Sequence, residues 1–177
     1  MPRMREALRL HPDSVCDPKV NIEADVARLG RGRLLLAYIV TGKIAALRLP
    51  PVAPPTRADE LWRHTCFEAF IRPAAGPGYY ELNFAPSTQW AAYRFDGYRS
   101  GMAVAAEIAA PRFEVASETR HFTLQAILDL NRLALPYLLG LSAVLEETNG
   151  RKSYWALAHP AGKPDFHHAD CFALELP

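Results

Sequence analysis

The stretch HPAGKPDFHHAD, His159–Asp170, gathers three imidazoles and two carboxylates into twelve residues. Such groups can ligate a metal, move protons or hydrogen-bond a ligand. Zinc asks for three or four ligands around one point. In an extended segment His167 and His168 point to opposite sides, and only His168 and Asp170 share one. His159 would complete a set only if the AGKP turn folded back. No nucleophile and no GxSxG element accompanies the stretch, so acid/base catalysis has nothing to act with. The expectation is a polar loop at a pocket mouth. His159, Asp165, His167 and His168 would line it, with Lys163 and Asp165 offering opposite charges, and with no metal or other cofactor resident.

A second constellation lies in ELWRHTCFEAFI. Read as a strand, it puts Leu61, Arg63, Thr65, Phe67, Ala69 and Ile71 on one side and Trp62, His64, Cys66, Glu68 and Phe70 on the other. The first side ends apolar and reads as core. In YYELNF, Tyr80, Leu82 and Phe84 read as core, leaving Tyr79, Glu81 and Asn83 opposite. Pairing the two segments as a hairpin brings Glu68 close to Glu81 and Asn83 on one sheet face. WAAYRFDGY adds Trp90, Tyr93, Arg94 and Tyr98, and Trp155 in SYWALAH shares a side with Leu157 and His159. Aromatic rings beside carboxylates, Asn and Arg suit a sugar, because rings stack on C–H faces while polar groups take hydroxyls.

These residues need elements to hold them. At 177 residues, 50% hydrophobic and 22% charged, the chain has the composition and length of one globular domain, residues 1–177. A formal charge of +1 and the lack of a basic, aromatic-interleaved run exclude nucleic acid as a partner. The first fourteen residues hold no apolar signal core, and the apolar runs are too short to span a bilayer. Three cysteines without a CxxC point to reduced thiols in the cytoplasm. The pattern is mostly period two. VNIEADVARL alternates cleanly, RLLLAYIV is apolar on both sides like a central strand, and RFEVASE with HFTLQAILDL, and LLGLSAVLEE with SYWALAH, read as hairpins. CFALEL closes the chain with Phe172, Leu174 and Leu176 on one face. Short helical turns compete at Met102–Ala110 and at residues 128–140. About ten short strands predict an all-β, antiparallel β-sandwich. An open edge strand would let two copies pair as a homodimer.

The segments LWRHTCFEAFI, YYELNFAPSTQWAAYRFDGYRSGM, GLSAVLE and SYWALAHPAGKPDFHHADCFALEL, over residues 57–177, resemble the bacterial DOMON-like proteins, relatives of the family 9 carbohydrate-binding modules. The resemblance implies an immunoglobulin- or jelly-roll-like sandwich with a cleft for a sugar or a haem. It implies that Trp62, Trp90 and Trp155 supply the sugar-clamping rings. In a haem binder, Met102 with His159, His167 or Lys163 would supply the axial ligands. The expected function is a non-catalytic carbohydrate-binding module. Its candidate site is Trp62, His64, Glu68, Glu81, Asn83, Trp90, Arg94, Trp155, His159, Asp165, His167 and His168. A non-covalent haem or electron-transfer module, and a metal-dependent enzyme using the HHAD loop, are the alternatives.

Overall fold

Period-two segments rich in β-branched and aromatic residues become strands, and turn residues set their pairing. The computed structural model describes residues 3–30, 32–133 and 136–177. Within these residues lie β1 (Met4–Leu10), β2 (Val20–Gly30), β3 (Arg33–Gly42), β4 (Cys66–Pro73), β5 (Tyr79–Phe84) and β6 (Trp90–Phe95). They are followed by β7 (Ala103–Val104), β8 (Arg112–Ser117), β9 (His121–Asp129), β10 (Tyr137–Glu146), β11 (Lys152–Ala156) and β12 (Leu174–Leu176). The remaining regular structure is three single 3-10 turns, at Ile44–Ala46, Leu61–Arg63 and Ala169–Cys171. No helix among the described residues is long and apolar enough to cross a membrane.

All pairings between strands are antiparallel, in the order β7-β6-β5-β4-β10-β11-β1-β2-β3-β9-β8. The sheet curls into two layers. One holds β1, β2, β3, β9 and β8, the other β7, β6, β5, β4, β10 and β11. The first strand joins them: Met4–Leu8 pairs with β2, while Arg9 and Leu10 pair with β11. β12 pairs with the Tyr137–Leu139 end of β10, on the flank that β11 leaves free. This is the antiparallel β-sandwich that the alternation predicts.

The main core fills the space between the layers. From β3 it takes Leu34, Leu36, Tyr38 and Val40, from β4 Phe67, Ala69 and Ile71, and from β5 Leu82 and Phe84. The Tyr38 hydroxyl crosses this core and donates to the Glu68 carbonyl at 2.6 Å. That bond satisfies a buried phenol and ties β3 of one layer to β4 of the other. The outer face of the second layer is covered too. There Phe70, Tyr79, Phe95, Phe166 and Phe172 form a second apolar cluster, closed over by the chain after β11. Gly140 permits that closure, because a Cβ there would meet the Cys171 carbonyl oxygen at 2.9 Å.

Four expectations change in detail. Residues 61–63 coil into a 3-10 turn, so β4 begins only at Cys66; Glu60, at φ 58°, sets the chain into that turn. Met102–Ala110 forms no helix but the two-residue β7 and a turn, with Ala105 and Ile108 buried. The candidate helix at 128–140 divides between the end of β9, a turn and the start of β10, while residues 134 and 135 lie outside the described residues. In CFALEL, the turn at Ala169–Cys171 resets the alternation. Phe172 therefore joins the second cluster, and Leu176 enters the main core.

Candidate functional site

The register of β4, β5, β6, β10 and β11 decides which side chains gather on the outer face of the second layer. Glu68 pairs with Asn83 on one side and Ser142 on the other, and Glu81 pairs with Tyr93. Glu68 and Glu81 are thus diagonal neighbours on adjacent strands, within mutual reach. Both are buried, at 3% and 6% exposure. Above them opens a cleft of about 700 Å³. Trp62, Tyr93, Phe95, Tyr154 and Phe166 wall it, and Asp59, Glu60, Arg99, Met102 and His167 complete the lining.

The polar groups are fixed to different degrees. Asn83 donates from its amide to Glu81 Oε1 at 3.0 Å. Tyr93 donates to Asp59 at 2.6 Å; burial and this carboxylate raise the phenol's pKa. No hydrogen bond reaches the Glu68 carboxyl among the described residues. Burial pushes its pKa well up and the nearby Glu81 adds to the shift, while Glu81 itself is raised by burial. Asn83 Oδ1 and Ser142 Oγ, beside Glu68 in the register, are buried and lack partners.

The loop after β11 supplies the opposite wall. The Arg99 backbone N–H donates to the Tyr79 hydroxyl at 3.1 Å, and that hydroxyl lies 2.7 Å from His167 Nδ1. The other ring nitrogen, His167 Nε2, faces Glu81 Oε2 at 3.6 Å. Burial, with the Arg99 charge adding, lowers the His167 pKa to about 4. Behind it, Asp165 accepts from Tyr98, from Arg99 at 2.8 Å and from the His167 backbone at 3.2 Å. Burial opposes ionisation of Asp165, but these donors outweigh it and hold the carboxyl below its usual range.

The structure brings Trp62, Glu68, Glu81 and His167 into the cleft, with Asn83 beneath and Asp165 behind. The other residues expected at the site lie elsewhere. Trp90 and Trp155 are 4% and 6% exposed in the core between the layers. Trp90 lies opposite the core residue Phe84, and Trp155 opposite Ala143, so their faces point away from the cleft. Arg94 turns outward toward Glu107. His64 sits 2.7 Å from Glu146. His159 donates from Nε2 to the Arg9 carbonyl at 2.7 Å and stacks edge-on with His11. His168 lies in a smaller hollow with Arg72 and Phe172.

The metal and haem readings each depend on where these side chains point. Among the described residues no three His, Cys, Asp or Glu side chains converge on one point. His167 points inward, His168 accepts from the Asp170 backbone, and His159 is held by the first strand. Met102 and His167 do share the cleft. There His167 Nδ1 lies 2.7 Å from the Tyr79 hydroxyl and Nε2 lies 3.6 Å from Glu81 Oε2.

Sequence reading misses Asp59, Arg99, Tyr154 and Phe166 as site residues. Only Tyr154 carries a local signal, since it alternates with the core residue Trp155. A second hollow of about 710 Å³ lies between the loops around Lys19, Lys43, Arg120 and Glu147. It carries charges of both signs and no aromatic ring.

No protein-family model matches the chain, and no curated protein matches it. The chain is similar in structure to a candidate carbohydrate-binding protein from Bacteroides uniformis, known from its crystal structure. The TM-score is 0.60 at 14% identity, over 95% of this chain and 83% of that one. Here the likeness extends to the fold alone.

Proposed function

We propose that this chain is a non-catalytic carbohydrate-binding module, distantly DOMON-like, that holds a sugar or sugar-containing metabolite over Glu68 and Glu81. One observation carries the reading: an aromatic-walled cleft whose floor holds the carboxyl of a residue only 3% exposed, with no hydrogen-bond partner among the described residues. Buried polar groups are normally satisfied, and an orphan in a cleft is a place for a ligand donor. The volume falls in the range of small-ligand sites, roughly 300–1,000 Å³.

Each part has a role in this reading. Trp62, 49% exposed at the rim, stacks on the sugar ring, and Tyr93 and Tyr154 flank it. Glu68 and Glu81 accept from hydroxyls, and His167 Nε2 faces the ligand beside Glu81. Backbone strain supports the location. Among the described residues three that are not glycine adopt positive φ, and two of them, Glu60 at 58° and Arg99 at 49°, line the cleft. Such strain persists where surrounding structure enforces it, often at ligand sites. The fold of the Bacteroides uniformis protein agrees with the reading. The three free thiols, two of them buried, suit a reducing compartment such as the cytoplasm.

The test is calorimetric titration with a monosaccharide and oligosaccharide panel, on wild type and Trp62→Ala. Sugar binding should weaken about tenfold or more in the variant, the order expected for losing one stacked aromatic at about 1–2 kcal/mol. Because Trp62 is half-exposed, the melting temperature should hardly move. Absence of binding by every sugar, or unchanged affinity in Trp62→Ala, rejects the reading.

A further inference from the structure

The balance of donors and acceptors in the cleft narrows the ligand further, given that the site is a sugar site at all. Four carboxylates line it (Asp59, Glu60, Glu68 and Glu81) against one permanent cation, Arg99. Most of these charges are already engaged. Arg99 donates to Asp165, Glu60 accepts from Arg63 at 2.7 Å, and Asp59 accepts from Tyr93. The Glu68 carboxyl is engaged by nothing among the described residues, although it is almost wholly buried. Beside it lies the unpartnered Asn83 Oδ1, and the second Glu81 oxygen meets His167 only at 3.6 Å.

The floor therefore offers acceptors to spare on two adjacent buried carboxyls, and no cation touches either one among the described residues, so burial holds both toward the neutral form. A neutral sugar could satisfy the acceptors through hydroxyls but would leave ionisation of the pair uncompensated and costly. A protonated primary amine answers both deficits. It has three donors and no acceptor, it compensates the carboxyl pair, and the faces of Trp62 and Tyr93 attract a cation. An N-acetylated amine loses the charge and two of the donors.

We propose that the cleft selects amino sugars with a free, protonated amine, held by Glu68 and Glu81 while Trp62 packs on the sugar ring. The amine is the shared chemistry of hexosamines and of simple organic amines, and the assay separates the two.

The full chain is titrated calorimetrically with glucosamine and galactosamine, with glucose and galactose, with the two N-acetylhexosamines, and with putrescine. At least one hexosamine should bind at least about tenfold tighter than its parent hexose and its N-acetyl form, and tighter than putrescine. In Glu68→Gln the ratio of hexosamine to hexose affinity should collapse toward one. Should that variant fail to fold, Glu81→Gln provides the same ratio, and the wild-type ranking decides without either. Equal or tighter binding of hexose or N-acetylhexosamine overturns the amine preference while leaving the carbohydrate reading intact. Putrescine binding as tightly as the hexosamines overturns the amino-sugar proposal, as does a preference that survives intact in both variants. No binding by any sugar removes both readings together.

Discussion

At the scale of single residues, the cleft floor trades stability for an open acceptor. Glu68 costs free energy in the unliganded protein because its side chain is nearly buried and meets no donor among the described residues. Its pKa in the fold lies well above the ordinary value, raised by burial and then by Glu81. Above the unfolded-state value the folded protein binds more protons than the unfolded chain, so this group makes stability fall as pH rises toward its folded pKa. His167 acts in the opposite sense. Burial lowers its pKa from 6.5 to about 4, so the unfolded chain takes the proton first, and stability is lost as pH falls through that interval. Comparing Glu68→Gln with wild type isolates the first effect, since both keep His167. The variant should melt about 2–4 °C higher near about pH 8, the shift that roughly 1 kcal/mol produces in a chain of this size. The gap should close toward about pH 3, below the ordinary carboxyl value, where the carboxyl is protonated in both states. Thermal melts across this pH range check it, and a variant less stable than wild type at alkaline pH would count against an unpartnered Glu68.

At the scale of elements, the strand alternation was legible and the covering loops were not. The hairpin of β4 and β5 follows from period two and the Pro/Gly turn, so the juxtaposition of Glu68 with Glu81 and Asn83 could be read directly. The tryptophans show where that reading stops. Once Phe84 is assigned to the core, the five residues 85–89 pair it with Trp90, which must then be core as well. That register was available in the sequence, but it required fixing the loop as a turn of known length. His167 and Arg99 had no such signal, since loops deliver them from remote parts of the chain. Their placement depends on how the segment after β11 docks, and Gly140 controls that docking. A methyl at Gly140 would meet the Cys171 carbonyl at 2.9 Å and the Phe70 Cβ at 3.5 Å. Gly140→Ala should therefore cost about 1–3 kcal/mol by overpacking. It should also weaken sugar binding, because the displaced segment carries Phe166 and His167. Denaturant titration and calorimetry measure the two effects. A loss of stability with unchanged affinity would separate the segment from the site.

At the scale of the whole molecule, the connections decide whether the two layers behave as one unit. The joint through β1 is short, only Arg9 and Leu10 against β11, and by itself it would couple the layers weakly. The stronger link is the core between them, where Tyr38, Phe67 and Phe122 stack at centroid distances of 5.0 and 5.8 Å. There Tyr38 also spends its hydroxyl on the opposite layer. Leu36, Phe67 and Leu82 are 1%, 0% and 0% exposed, so neither layer can leave without exposing the partner's apolar face. A single cooperative transition follows from that sharing. Trp90 and Trp155 report it well, because both lie in the shared core, whereas Trp62 sits at the cleft rim. Tryptophan fluorescence and far-ultraviolet circular dichroism should give coincident midpoints in denaturant. The calorimetric and van't Hoff enthalpies should agree. Binding should raise the midpoint by an amount set by ligand concentration over Kd, because the ligand binds the folded cleft and not the unfolded chain. Two separated transitions, one of them insensitive to ligand, would show that the layers fold apart and that the cleft belongs to one of them alone.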